Sequence, residues 1–190
     1  MNRISKLITV IDNFVDTDFC NKTYKYLYKK TNQPYYYDNN MPWFIGNNLF
    51  YDNINNKKIK EQILRINYTV ANLFSYIHNI QVYPHLCDLV LWRVGQSMDR
   101  HVDDGSNLAN GKYLEMRKFS AICYLNDNYV GGKTFVKLNE NEDYVSVPKT
   151  GTLLMFTSDN RSAHGVTKVE SGTRGTIAMW FCTDKQFCNM

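Results

Sequence analysis

After residue 82 the chain is cut into short β-prone runs by turn-forming residues, and this rhythm constrains the fold more than any other feature. The runs read "DLVLWRV", "KFSAICYLN", "GKTFVKL", "YVSVP", "TLLMFTS", "HGVTKV" and "RGTIAMWFCTD". Roughly seven or eight short strands in about a hundred residues predict a two-sheet jelly-roll or barrel-like core.

The preceding part reads differently. "LITVIDNFV" predicts a first strand, and "DTDFCNKTYKYLYKK" a helix opened by Asp16 or Thr17 as a cap. Ile59, Ile63, Ile66, Val70, Leu73 and Ile77 recur at spacings of four and three, the stripe of a second amphipathic helix. Between the helices, Tyr35, Tyr36, Tyr37, Trp43, Phe44 and Tyr51 sit among Asn, Pro and Gly in an irregular aromatic segment. The expected organisation is one domain over residues 1–190, with helical support over about 1–81 packed on one sheet of a core over about 82–184.

A net charge of +4 with scattered basic residues does not indicate a nucleic-acid partner, and the densest cluster, "NKKIK", reads as a solvated helix start. Asp12 interrupts the short apolar stretch near the N-terminus, no small-residue cleavage site follows, and no window approaches the roughly 20 apolar residues of a membrane span. These features predict a soluble protein, cytoplasmic or otherwise intracellular. Five cysteines without a CxxC pair argue against a disulfide framework and a zinc cage. Cys182 and Cys188 could pair in an oxidising setting, but free thiols are expected. No feature bears on oligomeric state.

The chemistry concentrates in "LWRVGQSMDRHVDDGS". If the strand runs through His101, alternation sends Asp103 to the same face, whereas Asp104 faces away and accepts hydrogen bonds from the turn. An isolated HxD is more often a surface ion pair than a site. A site needs another ligand, and His164 is the natural candidate, since His78 and His85 read as structural or exposed. Two histidines and one carboxylate make the facial triad associated with non-haem Fe(II) oxygenases. Arg174, ten residues after His164 and embedded in "RGTIAMWF", has little reason to be buried unless it meets an anion, and its planar fork suits a carboxylate. Thr176 follows on the same face.

With these residues in order, the sequence resembles the Fe(II)- and 2-oxoglutarate-dependent oxygenases, and within them the prolyl hydroxylase branch. HxD, YLN, GG, P..G....F, then His followed ten residues later by Arg, then Trp, form a specific ordered set over about half the chain. The resemblance implies a double-stranded β-helix core, iron held by His101, Asp103 and His164, and a salt bridge from Arg174 to the distal carboxylate of 2-oxoglutarate. It places Tyr124 on that same carboxylate, with Thr176 and Trp92 around the cosubstrate. Gly131 and Gly132 look like the turn between core strands, and Trp180 like the aromatic bordering the substrate pocket.

The implied reaction is oxidative decarboxylation of 2-oxoglutarate to succinate and CO2, consuming O2 and hydroxylating a peptidyl proline, with ascorbate as reductant. Tyr36 and Trp43 would belong to a lid over a proline-containing peptide or protein, although aromatics there could equally cover the core. Trp92 and Met98 depart from the residues common at those positions, a difference that bears on the pocket's shape and so on the substrate. "YLNDNYVGG" with "HGVTKVESGTRGTIAMWF" looks closest to prolyl 3-hydroxylase catalytic domains, without their long accessory regions; the small size would suit a microbial or viral enzyme. Alternatives are the same chemistry on lysine, a free amino acid or nucleic acid, or a non-catalytic binding module. Nucleic-acid-acting members usually carry a second arginine where this chain has Trp180.

Overall fold

Strand pairing follows the β-prone runs. In the computed structural model, which describes residues 2–31, 47–106 and 114–190, thirteen strands and two α-helices are formed among the described residues. Seven strands make one antiparallel sheet in the order β1 (Asn2–Arg3), β2 (Ile8–Ile11), β10 (Leu153–Thr157), β6 (Arg117–Tyr124), β13 (Arg174–Cys182), β4 (Tyr83–Trp92) and β3 (Asn47–Phe50). A second sheet contains β5 (Met98–His101), β11 (His164–Val166), β8 (Thr134–Lys137) and β9 (Asp143–Val145), and β7 (Val130–Gly131) pairs with β12 (Val169–Ser171). This is the expected jelly roll.

Period-two alternation decides what each face of the large sheet does. Leu89 and Leu91 of β4, Ala121 and Cys123 of β6, and Ile177, Met179 and Phe181 of β13 join one apolar cluster with Cys20 and Leu27 of α1 (Thr17–Thr31) and Ile63, Val70 and Phe74 of α2 (Lys57–His78). The helices therefore cover the outer face, as their stripes require. The Asp16 carboxylate caps α1 by accepting from the Phe19 N–H, and Asn56 caps α2 by accepting from the Ile59 N–H. Asn79 ends α2 in the left-handed conformation that asparagine tolerates. No described helix is long and apolar enough to cross a membrane.

The opposite face meets the second sheet through two smaller clusters, Ile8, Val10, Val136, Leu154 and Phe156 in one, and Val90, Trp92, Val166 and Val169 in the other. Three sequence expectations need correction. The strand expected over "LITVIDNFV" is only Ile8–Ile11, with the two-residue β1 before it, because Asn13 turns the chain with φ 53°. "HGVTKV" splits between β11 and β12. Most consequentially, β5 ends at His101, so Asp103 lies in the following turn and not on the strand. All five cysteines are free.

Candidate active site

The sheets bring together polar groups that are distant in sequence. His101 ends β5, His164 opens β11, and the two are cross-strand partners with ring centroids 4.4 Å apart. Gly165 makes this pairing possible, since a Cβ there would stand 2.5 Å from the Met98 carbonyl oxygen and 2.4 Å from the Phe135 ring. The Asp103 turn is tied to the end of β10, where the Ser158 carbonyl accepts from both the Asp103 and Asp104 N–H groups. That tether, and not strand alternation, aims the Asp103 carboxylate at the imidazoles. Asp104 turns away and accepts from the Ser106 N–H, as expected.

The donor atoms converge. His101 Nε2 lies 3.5 Å from Asp103 Oδ1 and His164 Nε2 lies 3.4 Å from Asp103 Oδ2. One ligating atom from each residue falls within 4.8 Å of the others. Each Nδ1 is spent on the backbone carbonyl two residues earlier, Asp99 for His101 at 2.9 Å and Ser162 for His164 at 3.2 Å. Donating Nδ1–H outward fixes the tautomer that leaves Nε2 free to ligate. Burial pushes the Asp103 pKa up, but His164 and His101 more than offset it and hold the carboxyl well below the usual carboxylate range. Burial pushes His101 down, yet Asp103 raises it overall.

Arg174 is 1% exposed in the same interlayer. Trp92 is its cross-strand partner on β4, and the guanidinium carbon sits 5.6 Å from the Trp92 ring and 5.5 Å from the Tyr124 ring. Nη2 donates to Thr134 Oγ1 at 3.0 Å. Nε is buried with no hydrogen-bond partner, and among the described residues no carboxylate pairs with Arg174. A fully buried guanidinium without an anion is costly unless a ligand supplies one. Thr176 is buried and lies across from Tyr124 on the same face. The Tyr124 hydroxyl donates to Thr134 Oγ1 at 2.8 Å and lies 2.5 Å from Ser146 Oγ.

Trp180 faces the same interlayer beside Ser120, half-buried, with the Arg117 guanidinium carbon 4.5 Å from its ring centroid. Tyr36 and Trp43, and the lid reading built on them, lie outside the described residues. His78 packs on Phe119, and His85 bonds the Phe187 carbonyl; neither belongs to the metal-ligating cluster.

Sequence reasoning missed the hydroxyls that support the site. Ser120 Oγ donates to Asp103 Oδ2 at 2.6 Å and lies 2.8 Å from Ser158 Oγ. A signal existed for Ser120, a lone hydroxyl in phase with Tyr124 along an apolar strand. Asp88, in phase with Trp92 and Val90, was also missed; burial pushes its pKa to about 7 against the pull of Arg117 and Asn48.

A jelly roll that converges two imidazoles and a carboxylate, with a buried arginine lacking an anion, has the makings of a facial-triad metalloenzyme. Residues 87–182 match the 2OG-Fe(II) oxygenase superfamily, and the chain belongs to that family. Its two defining cofactors, Fe(II) and 2-oxoglutarate, suit the donor set and the orphaned guanidinium.

The chain is 32% identical over 154 residues to prolyl 3-hydroxylase 2 of Rattus norvegicus, an alignment covering 72% of this chain and 20% of that protein. It is 39% identical over 70 residues to prolyl 3-hydroxylase 1 of Gallus gallus, covering 36% of this chain and 10% of the relative. It thus spans about a fifth or less of the length of these relatives. In fold it is similar to a prolyl hydroxylase from Trichoplax adhaerens, solved in complex with a hypoxia inducible factor oxygen degradation domain peptide fragment. There the TM-score is 0.76 at 18% identity, covering 96% of this chain and 86% of that one. A prolyl-4-hydroxylase from Pseudomonas putida gives a TM-score of 0.72 at 17% identity, covering 93% and 92%.

Proposed function

We propose that this protein hydroxylates a peptidyl proline with Fe(II), 2-oxoglutarate and O2, ascorbate serving as reductant. The observation that carries the proline assignment is the 32% identity to a prolyl 3-hydroxylase across 72% of the chain. His101 Nε2, His164 Nε2 and the Asp103 carboxylate would hold the iron, their Nδ1 and Ser120 contacts keeping them aimed. Arg174 would take the distal carboxylate of 2-oxoglutarate, with Thr176 and the Tyr124–Thr134 hydroxyls beside it and Trp92 as a wall. When bound, the metal and cosubstrate supply the oxidising power, giving succinate, CO2 and one hydroxyl on the substrate carbon. The chain's part is to orient that carbon and keep bulk water from the buried arginine. Trp180, across from Ser120 on β6, would border the pocket and pack against the target ring.

Mass spectrometry of proline-containing peptides, collagen-like repeats included, tests the assignment after incubation with protein, Fe(II), 2-oxoglutarate, ascorbate and air. A gain of one oxygen on proline, absent with His164→Ala, is expected. Succinate without proline oxidation would sink the proline reading and turn the search to lysine, free amino acids and nucleic acid.

The Ser120 contact makes a second prediction. Ser120→Ala should weaken Fe(II) binding about 10- to 100-fold, the usual cost of losing an outer partner to a metal ligand, with the melting midpoint nearly unmoved. Anaerobic calorimetry reads this. Unchanged affinity would mean that the turn tether alone orients Asp103.

A further inference from the structure

Two buried donors near the arginine lack an acceptor. One is Arg174 Nε–H; the other is the Tyr129 hydroxyl, also closed to solvent, whose oxygen faces the Arg174 guanidinium but whose O–H meets no acceptor. Tyr124 differs, because its hydroxyl is already engaged by Thr134 and Ser146. Tyr129 lies between β6 and β7, and its ring converges on the arginine's stem above Gly132. A Cβ on that residue would stand 3.1 Å from Arg174 Cδ and 3.2 Å from Tyr129 Cε2. Gly132 also has φ +56°, so a side chain is unwelcome there on both counts. From the other side, a Cβ on Gly172 would stand 3.0 Å from Tyr129 Cβ. Two glycines thus leave the room that Tyr129 occupies, Gly132 beside its ring and Gly172 beside its Cβ.

Burial raises the Tyr129 pKa, with the Arg174 guanidinium pulling the other way, and the phenol stays protonated at neutral pH. A cationic N–H and a neutral O–H in one dry corner share a single remedy, an anionic acceptor that both can reach.

We propose that Tyr129 donates its hydroxyl to the same carboxylate that Arg174 binds, making it a second anchor for the remote end of 2-oxoglutarate. The inference rests on the reading of Arg174 as the cosubstrate's anchor. It assigns to Tyr129 a binding role in addition to the hydroxyls of Tyr124 and Thr134. The carboxylate would turn a hydroxyl that lacks an acceptor into the donor of a charge-assisted bond.

Tyr129→Phe keeps the ring and removes only the hydroxyl. In Fe(II)-loaded protein under anaerobic conditions, calorimetry should show 2-oxoglutarate binding weakened about 10- to 100-fold, the share of one hydrogen bond to a charged group. The melting midpoint without cosubstrate should stay level or rise, because a buried unpaired hydroxyl has gone. Wild-type affinity in Tyr129→Phe, while Arg174→Gln binds poorly, overturns the Tyr129 role and leaves the arginine's standing. A ligand-free midpoint that falls with the affinity makes Tyr129 a packing residue and also overturns the inference. Unchanged affinity in Arg174→Gln overturns the anchor reading itself.

Discussion

Asp103→Ala is expected to lose bound iron and to cut succinate formation by more than about a hundredfold, exceeding the usual cost of disturbing a ligand's outer partner. Among the described residues the Asp103 carboxylate is the one charged group paired with both imidazoles, at 3.5 and 3.4 Å, and the turn supplies no substitute because Asp104 is committed to Ser106. The turn itself should survive, since its ties to Ser158 run through backbone N–H groups that alanine keeps. Ser120 loses one partner but retains Ser158. Near-wild-type circular dichroism with sub-stoichiometric iron is the expected pair of results. Undiminished succinate production would remove Asp103 from the triad.

The largest effect on stability is expected at Phe74. This residue is 2% exposed on α2, stacked on Phe119 at 4.6 Å and packed on Phe181 at 5.2 Å, so it joins the helical layer to two central strands. Truncation to alanine removes the ring and leaves a cavity that close-packed neighbours fill only partly. Phe74→Ala should cost about 3–5 kcal/mol, a large part of the roughly 5–15 kcal/mol that holds a domain together. Urea unfolding checks it, with Tyr76→Ala as the comparison. Tyr76 lies on the same helix but is 82% exposed, and should shift stability by no more than about 0.5 kcal/mol. A Phe74→Ala midpoint close to that of Tyr76→Ala would show that the α2 stripe does not anchor the sheet.

Local patterns carried some features and not others. The α2 stripe was legible because its period is a property of the helix alone: Ile59, Ile63, Ile66 and Val70 are buried and Leu73 and Ile77 pack partly buried against the same core, whereas Phe74, buried beside them, lay outside the stripe. The convergence of His101, Asp103 and His164 was legible in their order, but the reason for it was not. Alternation carries Asp103 to the right side only if β5 continues, and β5 stops at His101; the turn's hydrogen bonds to Ser158 place the carboxylate instead. No local signal connects residues 103 and 158. Ser146 and Tyr129 were silent for the same reason, since the significance of the one comes from Tyr124 and that of the other from Arg174, both across the fold. The aromatic lid with Tyr36 and Trp43 lies outside the described residues.

The position of β13 bears on how the molecule comes into being. Thirteenth in chain order, it lies in the interior of the large sheet, paired with β4 on one side and β6 on the other. Until it emerges from the ribosome, β4 and β6 each expose an unpaired edge, the kind of surface on which nascent chains associate wrongly. Arg174 is the first residue of that strand. The closing of the sheet and the arrival of the guanidinium are therefore one event, so an unfinished chain holds a vulnerable half-sheet and no means of retaining a dicarboxylate.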